Sequence, residues 1–421
     1  MITAQHDASS RRDERTQREQ RAPVWRDALL WCAVLAGLVS CVAGVLHAVP
    51  RSQDFQWSGE RLLLQHVDPW RDYLLGDPAH GLLATQVPNY LPILYVLLVP
   101  FGFMSAHGAN LAWALCNALF AVVSALLAAR FYGFRSWRSM LGITAATLAA
   151  VPTRVTISNG QQGLLVLLLW SLALLHAGPT NARRAALAGV SFFKYSFAPA
   201  LALYLLLRDG LRRGLYVLLW SLLPAIASTV LVWSWITGMH DARHLLALFT
   251  EPLAVTRVGY QPTGDPGQTF MDLFEFLLGG GPVATPRLTL ASLLVAVAIT
   301  LAVLLLAMRR PQANGEAAET DRTGWLAALT ATLSFVLYKH HPYDEVVFLF
   351  PLCYALRHWR RPAAMAAIFL ICYCWYVQPM VDLQIRFSLS WCVARMSILL
   401  ALIVCVYRST EPAPTEAKAA W

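Results

Sequence analysis

Charge is scarce in this chain. Only 14% of its 421 residues are Asp, Glu, Lys or Arg, against roughly a quarter in soluble domains. That shortage excludes a water-soluble globule, and a mean hydropathy of +0.51 places the chain in a bilayer. Cysteine chemistry is missing too. The cysteines at 32, 41, 116, 353, 372, 374, 392 and 405 all lie in apolar runs, where Cys acts as a small hydrophobe. Neither a disulfide framework nor a metal centre is indicated. Cys372 and Cys374 form a CxC, but residues two apart point to different faces of a helix. The net charge of +9 comes mostly from Arg in short loops and the N-terminal tail. No aromatic-laced basic patch accompanies it, so nucleic acid is not an expected partner. There is no fixed-period repeat and no separate soluble domain.

What the chain does have is a succession of apolar runs, many near twenty residues, each able to cross a ~30 Å hydrocarbon core as a helix. They fall at about 28–49, 88–105, 109–130, 138–152, 161–177, 185–207, 214–237, 287–308, 325–338, 343–357, 362–378 and 387–407. The expected fold is all-α, a polytopic membrane helix bundle of about twelve spans. Residues 1–26, rich in Arg, read as a disordered cytoplasmic tail, 27–408 as the membrane domain and 409–421 as a second cytoplasmic tail. Arg208, Arg212, Arg213, Arg309, Arg310, Arg357, Arg360, Arg361 and Arg408 read inside. Alternation then puts outer loops at 50–87 and 238–286, and Lys339-His340-His341 outside. It also puts Arg130, Arg135, Arg138, Arg183 and Arg184 outside, against the rule. Re-entrant segments near 88–104 and 190–207 would restore the count.

Polar residues gather in four places. Between Arg51 and Pro92, Asp54, Glu60, Asp68, Asp72 and Asp77 mix with Trp57, Trp70, Tyr73 and Tyr90. Trp and Tyr favour the headgroup level, so this stretch lies at the membrane–water boundary. Asp54 reads either as a general base activating a hydroxyl or as a solvated loop carboxylate. Asp68 and Asp72 flank Trp70 and Arg71, where local ion pairing accounts for them simply. Trp57 and Tyr73 are either interface anchors or sugar-stacking platforms. At Leu333 to Pro351, Lys339, His340 and His341 suit a phosphate whose lipid tail lies in the membrane, or are interfacial basic residues. Asn159, Gly160, Gln161 and Gln162 open a span, and Lys194 is an ionisable residue well inside an apolar run. An intramembrane lysine is by default a functional residue. The segment 238–286, with Gln268 and Thr269, has the length and aromatic content of an ordered loop over a cleft.

Taken in order, these fragments resemble glycosyltransferase family 87, the polyprenol-phosphate-mannose-dependent mannosyltransferases of the GT-C fold. The resemblance runs over about residues 28–408. It rests on SQDFQW…DPW, Tyr90-Leu91-Pro92, Gly160-Gln161, Gly189-Val190…Lys194-Tyr195, Gly267-Gln268-Thr269 and His340-His341. Tyr195 stands where the family has Pro, Gly267 and Thr269 soften the loop motif, and Trp57 and Trp70 replace the usual Tyr.

The resemblance implies a GT-C bundle capped by the two outer loops. It implies an inverting, metal-independent and cofactor-free transfer from a polyprenyl-phosphate sugar to a hydroxyl of a glycan or glycolipid. Asp54 would be the base. His340, His341, Lys339, Lys194, Gln268 and Gln161 would hold the donor, while Trp57, Asp68, Trp70, Tyr73 and Tyr90 would line the acceptor side. The setting would be the inner membrane of a bacterium, both termini cytoplasmic and the site facing out. A transporter or flippase shares this hydropathy, but such proteins carry paired interrupted helices and intramembrane charges.

Overall fold

In the computed structural model the described residues are 24–76, 81–83, 85–175, 181–259, 269–279, 285–309, 316–379 and 388–407. The two tails, apart from Val24 to Arg26, and Asp77, Tyr260, Gly264, Asp265, Gly267 and Gln268 lie outside them. Every described element is helical, as expected. In chain order the helices are α1 (Val24–Arg51), α2 (Trp57–Leu64), α3 (Pro69–Leu75), α4 (Pro92–Gly102), α5 (Ala106–Phe131), α6 (Trp137–Ala149), α7 (Val151–Asn159), α8 (Gly163–Trp170) and α9 (Asn181–Val190). There follow α10 (Ala198–Arg208), α11 (Leu211–Thr237), α12 (Ala242–Gly259), α13 (Phe270–Gly279), α14 (Pro286–Met308), α15 (Glu316–Leu337), α16 (Leu349–Arg357), α17 (Pro362–Cys372) and α18 (Ser388–Tyr407).

Four helices are long and apolar enough to cross a membrane: α1, α5, α11 and α14. They expose Leu35, Val42, Leu119, Leu223 and Leu294, as a lipid-facing surface requires. A fifth crossing forms if α6 and α7 count as one bent span, with 59° between them. The bend has a local cause. Ala150 is extended (φ −60°, ψ 133°) and Pro152 follows in the first turn of α7, where proline's missing N–H costs nothing. Gly37 lets α1 lie on α6: a Cβ there would meet the Ala145 carbonyl oxygen at 2.8 Å. Small residues at such crossings let backbones approach in the absence of a hydrophobic drive between helices.

Most of the remaining apolar runs form shorter helices, although α15 and α18 reach 22 and 20 residues. The stretches suggested as re-entrant hold α4 and α10, eleven residues each, shorter than the ~20 residues of a full crossing. The run around Lys194 breaks into α9, a 3-10 turn at Ser191–Phe193, and α10. The run at 343–357 begins as a 3-10 turn, Pro342–Phe348, before α16. At the centre lies α15, buried on all sides from Trp325 to Tyr338. Apolar all round, it has no face for water.

The stretch 50–87 is not simply an aqueous surface. Phe55 and Trp70 within it are fully buried, and Glu60 and Asp72 nearly so. Where it is described, 238–286 is helical, and α12 packs on α3, within the stretch 50–87.

Candidate functional site

The site is assembled where helices stop. Helix α7 ends at Gly160, whose left-handed conformation (φ 70°) turns the chain towards α8 and leaves Gln161 and Gln162 in the turn. The segment leaving α1 crosses this turn. The Asp54 N–H donates to the Asn159 carbonyl (2.9 Å). The Asp54 carbonyl accepts from the side-chain amides of Gln56 (3.1 Å) and Gln162 (3.3 Å). Next door, Phe55 stacks on Trp113 at 5.5 Å, and the Trp113 indole donates to the Gly160 carbonyl at 2.8 Å. The backbone of Asp54 is thus held on both polar groups.

Its side chain is half-buried. Burial pushes the Asp54 carboxyl up from its ordinary value; a hydrogen bond with Gln161 and the positive charges of His341 and Lys194 offset part of this, and the charge of Asp344 adds to it. Gln161 is itself fixed, since its side-chain oxygen accepts from the Tyr90 hydroxyl at 3.1 Å.

Opposite Asp54 in this electrostatic sense stands a second group. Lys194 sits in the break between α9 and α10, with its ammonium 2.5 Å from Asp344 Oδ1 and near the faces of Tyr343 (5.5 Å) and Phe197 (5.8 Å). Asp344 Oδ2 lies 3.1 Å from His340 Nδ1, and the Ser196 hydroxyl is 3.3 Å from the same nitrogen. The His340 ring is held between Phe335 (5.2 Å, stacked) and Phe197 (4.1 Å). Burial keeps its pKa below the ordinary imidazole value, although Asp344 pulls the other way. His341 is exposed and stacks on Tyr343 at 5.0 Å.

The other expected site residues are placed differently. Trp70 is buried, and its indole donates to the Tyr90 carbonyl at 3.0 Å, so it ties α3 to the Tyr90–Gln161–Asp54 chain. Asp68 caps α3, accepting from the Trp70 and Arg71 N–H groups at 2.9 and 3.0 Å. Its other oxygen is 2.8 Å from His244 Nε2 on α12, not on Arg71, the partner local pairing suggested. Trp57 donates to the Met104 carbonyl at 3.1 Å with Arg61 over its ring, and Tyr73 packs half-buried on the core. Lys339 engages Glu275 at 2.5 Å and lies 3.8 Å from Asp272, both on α13. Gln268 lies outside the described residues. Among the described residues, no three His, Cys, Asp or Glu side chains are grouped as metal ligands.

Sequence reasoning gave no site role to Asp344 or Ser196, and named Gln162 only among the polar residues that open a span. Asp344 offered one signal, a carboxylate four residues after His340 at the mouth of an apolar run. Ser196 offered none.

Fold and site together define a helical membrane protein with a buried carboxylate–lysine–imidazole cluster at its helix breaks. Residues 89–338, more than half of the chain, match glycosyltransferase family 87. The protein belongs to that family of glycosyltransferases. The match begins after Asp54 and ends before His340. No curated protein and no solved structure matches the chain.

Proposed function

We propose that the protein moves a mannose-like hexose from a polyprenyl-phosphate sugar to a hydroxyl on an envelope glycan or glycolipid. The transfer inverts the anomeric centre, runs at the non-cytoplasmic face of a bacterial inner membrane, and uses Asp54 as general base in a GT-C-type bundle. The observation that supports this reading best is the clamping of Asp54. A half-buried carboxylate with both backbone polar groups tied down suits a base that must meet one hydroxyl in one geometry.

In the step, the acceptor oxygen attacks the anomeric carbon from the face opposite the phosphate. Its proton passes to the Asp54 carboxylate as the carbon–oxygen bond to phosphate breaks. The bonding pair leaves with the polyprenyl phosphate, and the added negative charge meets the Lys194 ammonium and His341. Gln161 orients Asp54. A raised carboxyl pKa makes Asp54 the stronger base once ionised.

The test is Asp54→Asn in membranes supplied with polyprenyl-phosphate mannose. Transfer should fall about 10²–10⁴-fold with normal expression. In the unaltered protein the rate should decline as pH drops through the Asp54 pKa, at a pH above the ~3.9 of an ordinary aspartate. Undiminished turnover by Asp54→Asn removes it as the base. Flipping of the lipid without a glycosylated product points to transport instead.

A further inference from the structure

One buried carboxylate serves two of the donor-side groups. Asp344 is 1% exposed, and its oxygens divide, Oδ1 on the Lys194 ammonium at 2.5 Å and Oδ2 on His340 Nδ1 at 3.1 Å. Helix α8 supports it from behind: a Cβ on Gly163 would come within 3.0 Å of Oδ1. Building on the transfer reading above, we propose that Asp344 is a positioning residue that fixes where the Lys194 cation sits and which nitrogen of His340 carries the proton.

The consequence for the ligand follows from donor and acceptor chemistry. An ionised carboxylate only accepts hydrogen bonds, so Nδ1 is the protonated nitrogen and Nε2 of the neutral ring is left with a lone pair. That Nε2 is buried and has no hydrogen-bond partner among the described residues. The ring is stacked on Phe335 at 5.2 Å and tilted against Phe197 at 4.1 Å. A lone pair repels an unprotonated phosphate oxygen and accepts from a hydroxyl. Lys194 therefore takes the phosphate oxygen, and His340 Nε2 takes a hydroxyl of the sugar. One carboxylate would then set the separation between the two recognition points of a sugar phosphate.

The test compares the unaltered protein, Asp344→Asn, Lys194→Met and the double variant in nanodiscs. Two readouts are taken: kcat and donor KM with polyprenyl-phosphate mannose, and binding of polyprenyl monophosphate by native mass spectrometry. Asp344→Asn should raise the donor KM at least tenfold and weaken lipid-phosphate binding with it. Lys194→Met should do the same, and the double variant should be no worse than either single one, because the two act as a unit. The double variant also leaves no unpaired buried charge, so it keeps the comparison possible if Asp344→Asn folds poorly. Losses that multiply in the double variant, or an unchanged donor KM and lipid affinity with only a lower yield, would overturn the positioning role. Failure of the unaltered protein to transfer sugar while the lipid-phosphate binding still depends on Asp344 would instead overturn the transfer reading and leave Asp344 in place.

Discussion

A methyl group on Gly160 would meet the Ser52 hydroxyl at 2.2 Å and the Phe55 Cβ at 2.5 Å. Gly160→Ala is therefore a direct probe of how the site is held. The residue also has φ 70°, a left-handed conformation that costs a side-chain-bearing residue about 1–2 kcal/mol. Overpacking a close-fitted contact adds about 1–3 kcal/mol. Together the loss of stability should be about 2–5 kcal/mol. Ser52 and Phe55 bracket Asp54, so whatever relieves the clash moves the carboxylate. A displacement of 1 Å in a catalytic group costs roughly 100-fold in rate. Thermal denaturation in detergent should show a lower midpoint, and sugar transfer by the fraction that stays folded should drop by about that factor. A variant with unaltered midpoint and unaltered turnover would refute the view that this turn positions Asp54.

Two further substitutions test buried charge. Glu60 lies on α2, nearly inaccessible, and burial pushes its carboxyl up to about 8. The folded form then keeps a proton that the unfolded form has released, so stability should fall as pH rises from the unfolded value towards 8, by about 1.4 kcal/mol per pH unit. Glu60→Gln should flatten that dependence, as measured by denaturation midpoints at pH 5 to 8; an unchanged slope would contradict it. Arg395 on α18 and Glu345 are both fully buried, with Nη2 2.7 Å from Oε1. Arg395→Met strands the carboxylate and should cost about 3–5 kcal/mol. Adding Glu345→Gln should recover part of that loss in the same assay, and a double variant no better than the single one would count against the pairing.

Much of the outline was legible in the chain itself. Hydropathy belongs to a local run of residues, so the scarcity of charge and the apolar runs sufficed for an all-helical membrane protein. They also located the four helices long enough to cross, α1, α5, α11 and α14. The Gly-Gln pair at 160–161 and the acidic residue after α1 lie together, the Asp54 N–H on the Asn159 carbonyl, because a residue at a helix end stays near that end whatever the rest does. Trp70 shows where such reasoning stops. Its type suggested a residue at the headgroup level, and the resemblance one lining the acceptor side, yet it is buried and bonded to the Tyr90 carbonyl.

Tertiary structure decided the charges and their partners. Nothing local to Lys194 identifies Asp344, which is 150 positions away, and nothing local to Asp68 identifies His244. Burying an ion is unfavourable unless a partner and hydrogen bonds come with it, and which partner arrives depends on how distant helix breaks meet. The bilayer class and the main crossings were therefore written in composition and periodicity. The clamped aspartate and the shared carboxylate exist only once the helices have packed.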